Sequence, residues 1–141
     1  IKFANFCIDQ TGKSVKMLNF GRTFKAIGEY GLDLGKIEIV DLMGYKGFIK
    51  FMQDSLFIIS DSGTAQEEPA LLNIPVIVPR DFTERPESLE NRCSIMLDAE
   101  GEDFENSLEW ALNPFEGNAS WLGNSTTSLE IVKILREKNV L

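Results

Sequence analysis

Leu56-Phe57-Ile58-Ile59 runs without a break into Ser60-Asp61-Ser62-Gly63-Thr64 and on into Ala65-Gln66-Glu67-Glu68-Pro69-Ala70. A continuous apolar run of β-type residues, a turn of small polar residues and an acidic helix opening read as a buried strand feeding a helix through one tight turn. A strand apolar on both faces needs cover on both faces, which a parallel sheet with helices on either side supplies. The same junction collects unpaired backbone N–H groups and the positive end of a helix dipole, the arrangement in which proteins hold phosphate. Thr64-x-x-Glu67 also has capping-box spacing. The two readings are compatible.

The remaining chain repeats the pattern. Ile1 to Ile8 is apolar enough for a strand and is broken by Gln10-Thr11-Gly12. Between Lys13 and Tyr30 the apolar positions fit a helical face only at the Arg22–Tyr30 end. Ile37 to Val40 reads as a strand, Asp41 to Tyr45 as a loop and Gly47 to Gln53 as a short helix. After the Leu56–Ser60 strand and the Ala65–Leu72 helix comes Ile74-Pro75-Val76-Ile77-Val78, a strand whose proline sits near its start, where a missing N–H costs least. Arg80 to Glu90 is a charged loop, and Cys93 to Leu97 a strand. Glu102 to Leu112 has helical spacing, Asn113 to Asn124 is a loop, and Thr127-x-x-Glu130 is a capping box opening a last helix through Lys138. Strands alternating with helices define a Rossmann-like, doubly wound α/β sheet of mostly parallel strands, which binds ligands beyond the carboxyl ends of its strands. The Ser62 turn lies at such an end.

Composition narrows the ligand. With 141 residues and 43% hydrophobic content, the chain is one domain, residues 1–141. A net charge of −8 argues against a nucleic-acid partner, so a phosphate-bearing ligand is small and locally held. Cys7 and Cys93 alone give no disulfide framework and no metal-ligand spacing. No apolar run approaches membrane-spanning length and no signal peptide is recognisable, so the expectation is a cytoplasmic protein without membrane partner. Histidine is absent, which removes the commonest general base. The chain opens Ile1-Lys2-Phe3 without an initiator methionine, and we expect a fragment of a longer protein.

Ser62, Gly63 and Thr64 can present hydroxyls and backbone N–H groups to a diphosphate, Gly63 allowing close approach. A carboxylate beside a diphosphate is repelled, so Glu68 would serve a ligand by accepting from neutral hydroxyls such as a ribose diol. Its spacing from Thr64 puts both on one helix face. Glu67 in the first turn offsets the helix dipole whatever the function. Arg80 and Arg85 lie among Asp81, Glu84 and Glu87, where surface ion pairing is the ordinary account. Because their loop leaves a parallel strand at the same sheet edge, either could add a guanidinium to phosphates. Tyr45 and Phe48 suit a core or a lid, and an aromatic beside a nucleotide can pack on the base.

Three segments together carry a resemblance: Gly44-Tyr45-Lys46-Gly47-Phe48, Ser60 to Ala70, and Ile74-Pro75-Val76-Ile77-Val78-Pro79-Arg80-Asp81-Phe82-Thr83-Glu84-Arg85-Pro86-Glu87. In order and spacing they resemble the C-terminal half of the non-hydrolysing UDP-N-acetylglucosamine 2-epimerases, closely over Gly44–Asp98 and more loosely outside it. The resemblance implies the C-terminal half of a glycosyltransferase-B-type fold, with UDP-sugar bound between two Rossmann-like halves. It places Phe48, with backbone near Met43, against the uracil. Ser62, Gly63 and Thr64 fall on the diphosphate, Glu68 on the ribose hydroxyls and Arg85 on a further polar contact.

The family's reaction inverts carbon 2 of the sugar by eliminating UDP and adding it back across a glycal, and no cofactor is implied. Thr64 stands where a glycine is common. The acidic catalytic residues belong to the N-terminal half, and no histidine stands near Asn19-Phe20-Gly21-Arg22-Thr23, where the family carries one. The expectation is therefore no catalytic residue in this chain, and dependence on an N-terminal domain or partner subunit. An apolar face left uncovered would allow homo-oligomers. The other readings are a non-catalytic nucleotide- or partner-binding module and the C-terminal domain of a UDP-sugar glycosyltransferase.

Overall fold

Val76-Ile77-Val78 is completely buried and forms the middle strand of a three-stranded parallel sheet, as a continuous apolar run requires. The computed structural model describes residues 1–98 and 103–140. In chain order the elements are α1 (Lys2–Thr11), β1 (Lys16–Leu18), α2 (Gly21–Glu29), β2 (Glu38–Val40), α3 (Tyr45–Gln53) and β3 (Ile58–Ile59). They continue with α4 (Thr64–Leu71), β4 (Val76–Val78), α5 (Pro86–Glu90), β5 (Ser94–Met96), α6 (Phe104–Leu112), a 3₁₀ turn at Ala119–Leu122, and α7 (Thr127–Glu137).

Every described strand pair is parallel, as the alternation of strands and helices requires. The strands are hydrogen-bonded as two sheets, β1–β2 and β3–β4–β5. Register in the larger sheet sets Ile58 beside Val76, Ile59 beside Ile77 and Ile77 beside Ile95. Pro75 precedes β4 and uses only its carbonyl, which accepts from Ile58 N–H.

The segment Ile1–Ile8, expected as a strand, is instead the body of α1. Phe3 and Cys7 lie one helical turn apart and both are buried, with Phe3 in contact with the rings of Phe6 and Phe104. Asn5 on the same helix receives the Lys36 N–H and donates to Leu34 O, a use that a strand reading does not anticipate. Gly12 ends α1 at φ 66°, the left-handed geometry that glycine adopts without cost. Phe3, Cys7, Ile77, Leu97, Leu108 and Ala111 form one core cluster, so α1 and α6 cover the Ile77 face of β4.

Other differences are local. β1 has no counterpart among the strands expected from the sequence, because three residues are too short to establish a period of two against the surrounding helical spacing. Pro86, which opens α5 at its first position, turns the end of the expected Arg80–Glu90 loop into a short helix. The capping boxes at Thr64–Glu67 and Thr127–Glu130 are not formed: the N-caps are Gly63 and Thr126, neither with a side-chain cap bond. Each box threonine is thus one position inside its helix. Glu102, the expected start of α6, lies outside the described residues.

Candidate functional site

Parallel pairing of β3 with β4 brings two turns to one edge. The Ser60–Gly63 turn leaves the carboxyl end of β3, and Pro79–Arg85 leaves that of β4. The two meet through charge. Arg80 pairs with Asp61 at 3.7 Å and with Glu84 at 3.5 Å, and lies 5.9 Å from the Phe82 ring centre. Arg85 donates through Nε to Glu67, and a β-carbon built on Gly63 would lie 3.5 Å from its Cζ. The Arg85 guanidinium therefore stands directly over Gly63. Its hydrogen bond to Glu67 and the opposite charge there raise its already high pKa, with smaller help from Glu84 and Glu87, so it remains a cation.

The turn is open to solvent. Ser62 and Thr64 are exposed, their hydroxyl oxygens lie 3.1 Å apart, and Ser62 N–H donates to Ser60 Oγ. Among the described residues, the amides of Gly63, Thr64 and Ala65 have no protein acceptor, while Gln66 N–H already bonds Gly63 O. These amides, the two hydroxyls and the Arg85 cation bound one small patch suited to an anion. Gly63 has φ −58°, an ordinary helical value. Its lack of a side chain therefore gives space rather than backbone freedom.

A buried network fixes the second turn on α4. Gln66 is 1% exposed and accepts the Thr83 hydroxyl at 2.7 Å, while Thr83 Oγ1 accepts Arg85 N–H at 3.0 Å. Ser88, fully buried, shares a 2.8 Å bond with Ser94 and reaches Gln66 O. A hydrogen bond thus holds the backbone of Arg85 while Glu67 holds its head.

Phe48 lies in the first turn of α3 and Met43 two residues ahead of that helix, both half-buried, and Met43 packs beside Gly47. Tyr45 and Phe48, three apart, share a face. Tyr45 makes the link to α4, its hydroxyl donating to Glu68 Oε1 at 3.2 Å. Ser62, Gly63, Thr64 and Arg85 are thus gathered at one turn. Glu68 lies one helical turn beyond Thr64 and is joined to the helix that bears Phe48, with Met43 just ahead of it.

Sequence reasoning missed Gln66 and Thr83, and read Glu67 only as a capping-box and dipole partner. A glutamine inside an otherwise charged helix opening was the available signal, since nothing else there needed an amide. A cleft of about 260 Å³ lined by Pro75, Arg92, Trp110 and Phe115 opens at the amino ends of β4 and β5, opposite the turn. Among the described residues no group of acidic and cysteine side chains is placed to hold a metal ion, and no helix is long and apolar enough to cross a membrane.

Fold and site together define a Rossmann-like α/β unit of the glycosyltransferase-B type, with two basic side chains drawn over the turn that follows β3. The chain belongs to the UDP-N-acetylglucosamine 2-epimerase family, whose sequence model matches residues 8–136. It is 36% identical over 123 residues to a UDP-N-acetylglucosamine 2-epimerase of Methanococcus maripaludis, covering 81% of this chain and 32% of that protein. A solved UDP-GlcNAc 2-epimerase of Methanocaldococcus jannaschii superposes with a TM-score of 0.80 at 30% identity, over 96% of this chain and 39% of that one. The same archaeal enzyme in complex with UDP-GlcNAc and UDP gives a TM-score of 0.79 at 28% identity. The chain corresponds to the C-terminal part of these relatives and spans about a third of their length.

Proposed function

We propose that residues 1–141 are the UDP-sugar-binding domain of a UDP-N-acetylglucosamine 2-epimerase that interconverts UDP-GlcNAc and UDP-ManNAc. The observation that carries this reading is the convergence of Arg85, Gly63 and the Ser62 and Thr64 hydroxyls at the carboxyl end of β3. In this reading the diphosphate rests on Ser62, Gly63 and Thr64 with Arg85 above it, the ribose diol donates to Glu68, and the uracil packs at Met43 and Phe48. Neutral hydroxyls suit Glu68, because a carboxylate accepts from them without the repulsion that a phosphate would bring.

The acid–base groups of the reaction lie outside this chain. It has no histidine, and Asp61, Glu67, Glu68 and Glu84 are engaged by Arg80, Arg85 or Tyr45. The rest of the enzyme, as an N-terminal domain or partner subunit, then supplies proton transfer at carbon 2 and closes the nucleotide in. Leu129, Ile131 and Ile134 of α7 are 69%, 51% and 53% exposed, apolar area suited to such a contact or to self-association. An assay of the chain alone on UDP-GlcNAc tests the division of labour. It should bind nucleotide and give no UDP-ManNAc, and measurable turnover would contradict the placement of the chemistry elsewhere.

A further inference from the structure

We propose that Tyr45 is a positioning residue that sets the preference for ribose: its hydroxyl latches Glu68 across the gap between α3 and α4 and holds the carboxylate ready for the sugar diol. The inference rests on the nucleotide reading above and assigns a residue to the nucleoside end of the site.

Tyr45 is the first residue of α3, and Glu68 lies well inside α4, 23 positions further along the sequence. Tyr45 is 65% exposed, so its hydroxyl could be satisfied by water and the bond to Glu68 is not forced by burial. What the bond achieves is order. A glutamate on an open helix face samples several rotamers, and fixing one in advance removes an entropy cost that a ligand must otherwise meet. The latch uses one of roughly four acceptor positions of the carboxylate and leaves the others for hydroxyls of a ligand.

Charge sets Glu68 apart from its neighbours. Asp61 and Glu84 are paired with Arg80, and Glu67 with Arg85, whereas the partner of Glu68 is a neutral phenol. Its charge is therefore not offset by a salt bridge, and charge-assisted acceptance from a neutral diol is the strongest use available to it. The face that carries Tyr45 also carries Phe48, so the same helix that would flank the base would orient the group that reads the sugar.

The test compares UDP with 2′-deoxy-UDP on the wild-type chain and on Tyr45→Phe, by calorimetric titration. Wild type should prefer UDP by about tenfold, the worth of one hydrogen bond to a charged group. Tyr45→Phe should weaken UDP by about three- to tenfold and leave 2′-deoxy-UDP nearly unchanged, bringing the ratio toward one. Glu68→Gln should lose the same discrimination, and the double variant should lose no more than either alone.

Tyr45→Phe that keeps the wild-type ratio, or weakens both nucleotides by one common factor, overturns the latch and leaves nucleotide binding intact. Wild type that binds both equally overturns the latch together with the ribose role of Glu68, and leaves the diphosphate turn standing. Wild type that binds neither overturns the latch and the nucleotide reading together. Tyr45 is exposed, so removing its hydroxyl disturbs no core packing, and circular dichroism of the variant checks its fold directly.

Discussion

Arg85 is tied to Glu67 through its Nε, and in that position it covers Gly63, the one residue of the turn without a side chain. Glu67 thus aims the cation and at the same time partly neutralises it. Arg85→Ala should weaken UDP by about tenfold, the loss of a charge-assisted contact. Glu67→Gln should strengthen UDP by about two- to threefold, because it removes a negative charge beside the diphosphate. Arg85→Lys should fall between wild type and alanine, since a point charge lacks the planar fork. Calorimetry at low and high salt checks all three, and the differences should shrink as salt rises.

The space over Gly63 gives a prediction that separates binding from folding. Its φ is −58° and the nearest atoms to an added β-carbon are those of the Arg85 head at 3.5 Å, an ordinary contact. Gly63→Ala should therefore leave the melting temperature unchanged or slightly raised, as alanine favours the helix start more than glycine does. UDP affinity should fall by about tenfold or more, because the methyl group fills the place a phosphate oxygen would take. Thermal melts and titrations of the same preparation check both halves.

Thr83→Val should have the opposite signature. It leaves the Gln66 side-chain oxygen buried without its donor, at a cost of about 1–3 kcal/mol. It also releases the backbone N–H of Arg85, so UDP affinity should fall even though Thr83 is not assigned to the ligand. Urea denaturation reads the first effect. Replacing Gln66 by Leu in the Thr83→Val background should recover part of the stability, because both partners are then apolar.

Two groups are held neutral by the fold, and their sign is the same. Burial, partly offset by a backbone hydrogen bond, raises the Cys7 thiol from 9.0 to about 11. The hydrogen bond to Glu68, then its charge, raises the Tyr45 phenol above 10.0. A pKa higher in the folded than the unfolded state gives stability that is full below the unfolded value and lost as pH rises through the folded one. The Cys7 contribution should therefore fade between pH 9.0 and about 11, and Cys7→Ala should flatten that part of the melting profile. In a Tyr30→Phe background the remaining phenol should titrate lower when Glu68 is changed to Gln. Ultraviolet titration reads that directly.

How far the sequence could be read depended on the range of the interactions involved. The parallel α/β plan was legible because Leu56–Ile59 and Ile74–Val78 are apolar on both faces, a pattern few other folds require. Ile1–Ile8 misled because apolar density without a clear period does not distinguish a strand from a half-buried helix. The deciding partner of Phe3 is Phe104, far along the chain. At the site, the turn and Arg85 were legible as residue types at one sheet edge. The pairings Tyr45–Glu68, Arg85–Glu67 and Thr83–Gln66 were not, because each joins two elements whose approach is set by packing rather than by local spacing.

The most direct test of the account is a titration of UDP into the isotopically labelled 141-residue chain, followed by the backbone amide resonances. The account predicts saturable shifts at Ser62, Gly63, Thr64, Glu68 and Arg85, with smaller changes at Met43 and Phe48 and none at Arg92 or Trp110 beside the opposite cleft. Saturable shifts that leave Ser62, Gly63 and Glu68 unmoved, or no shifts at any concentration of UDP, would contradict it.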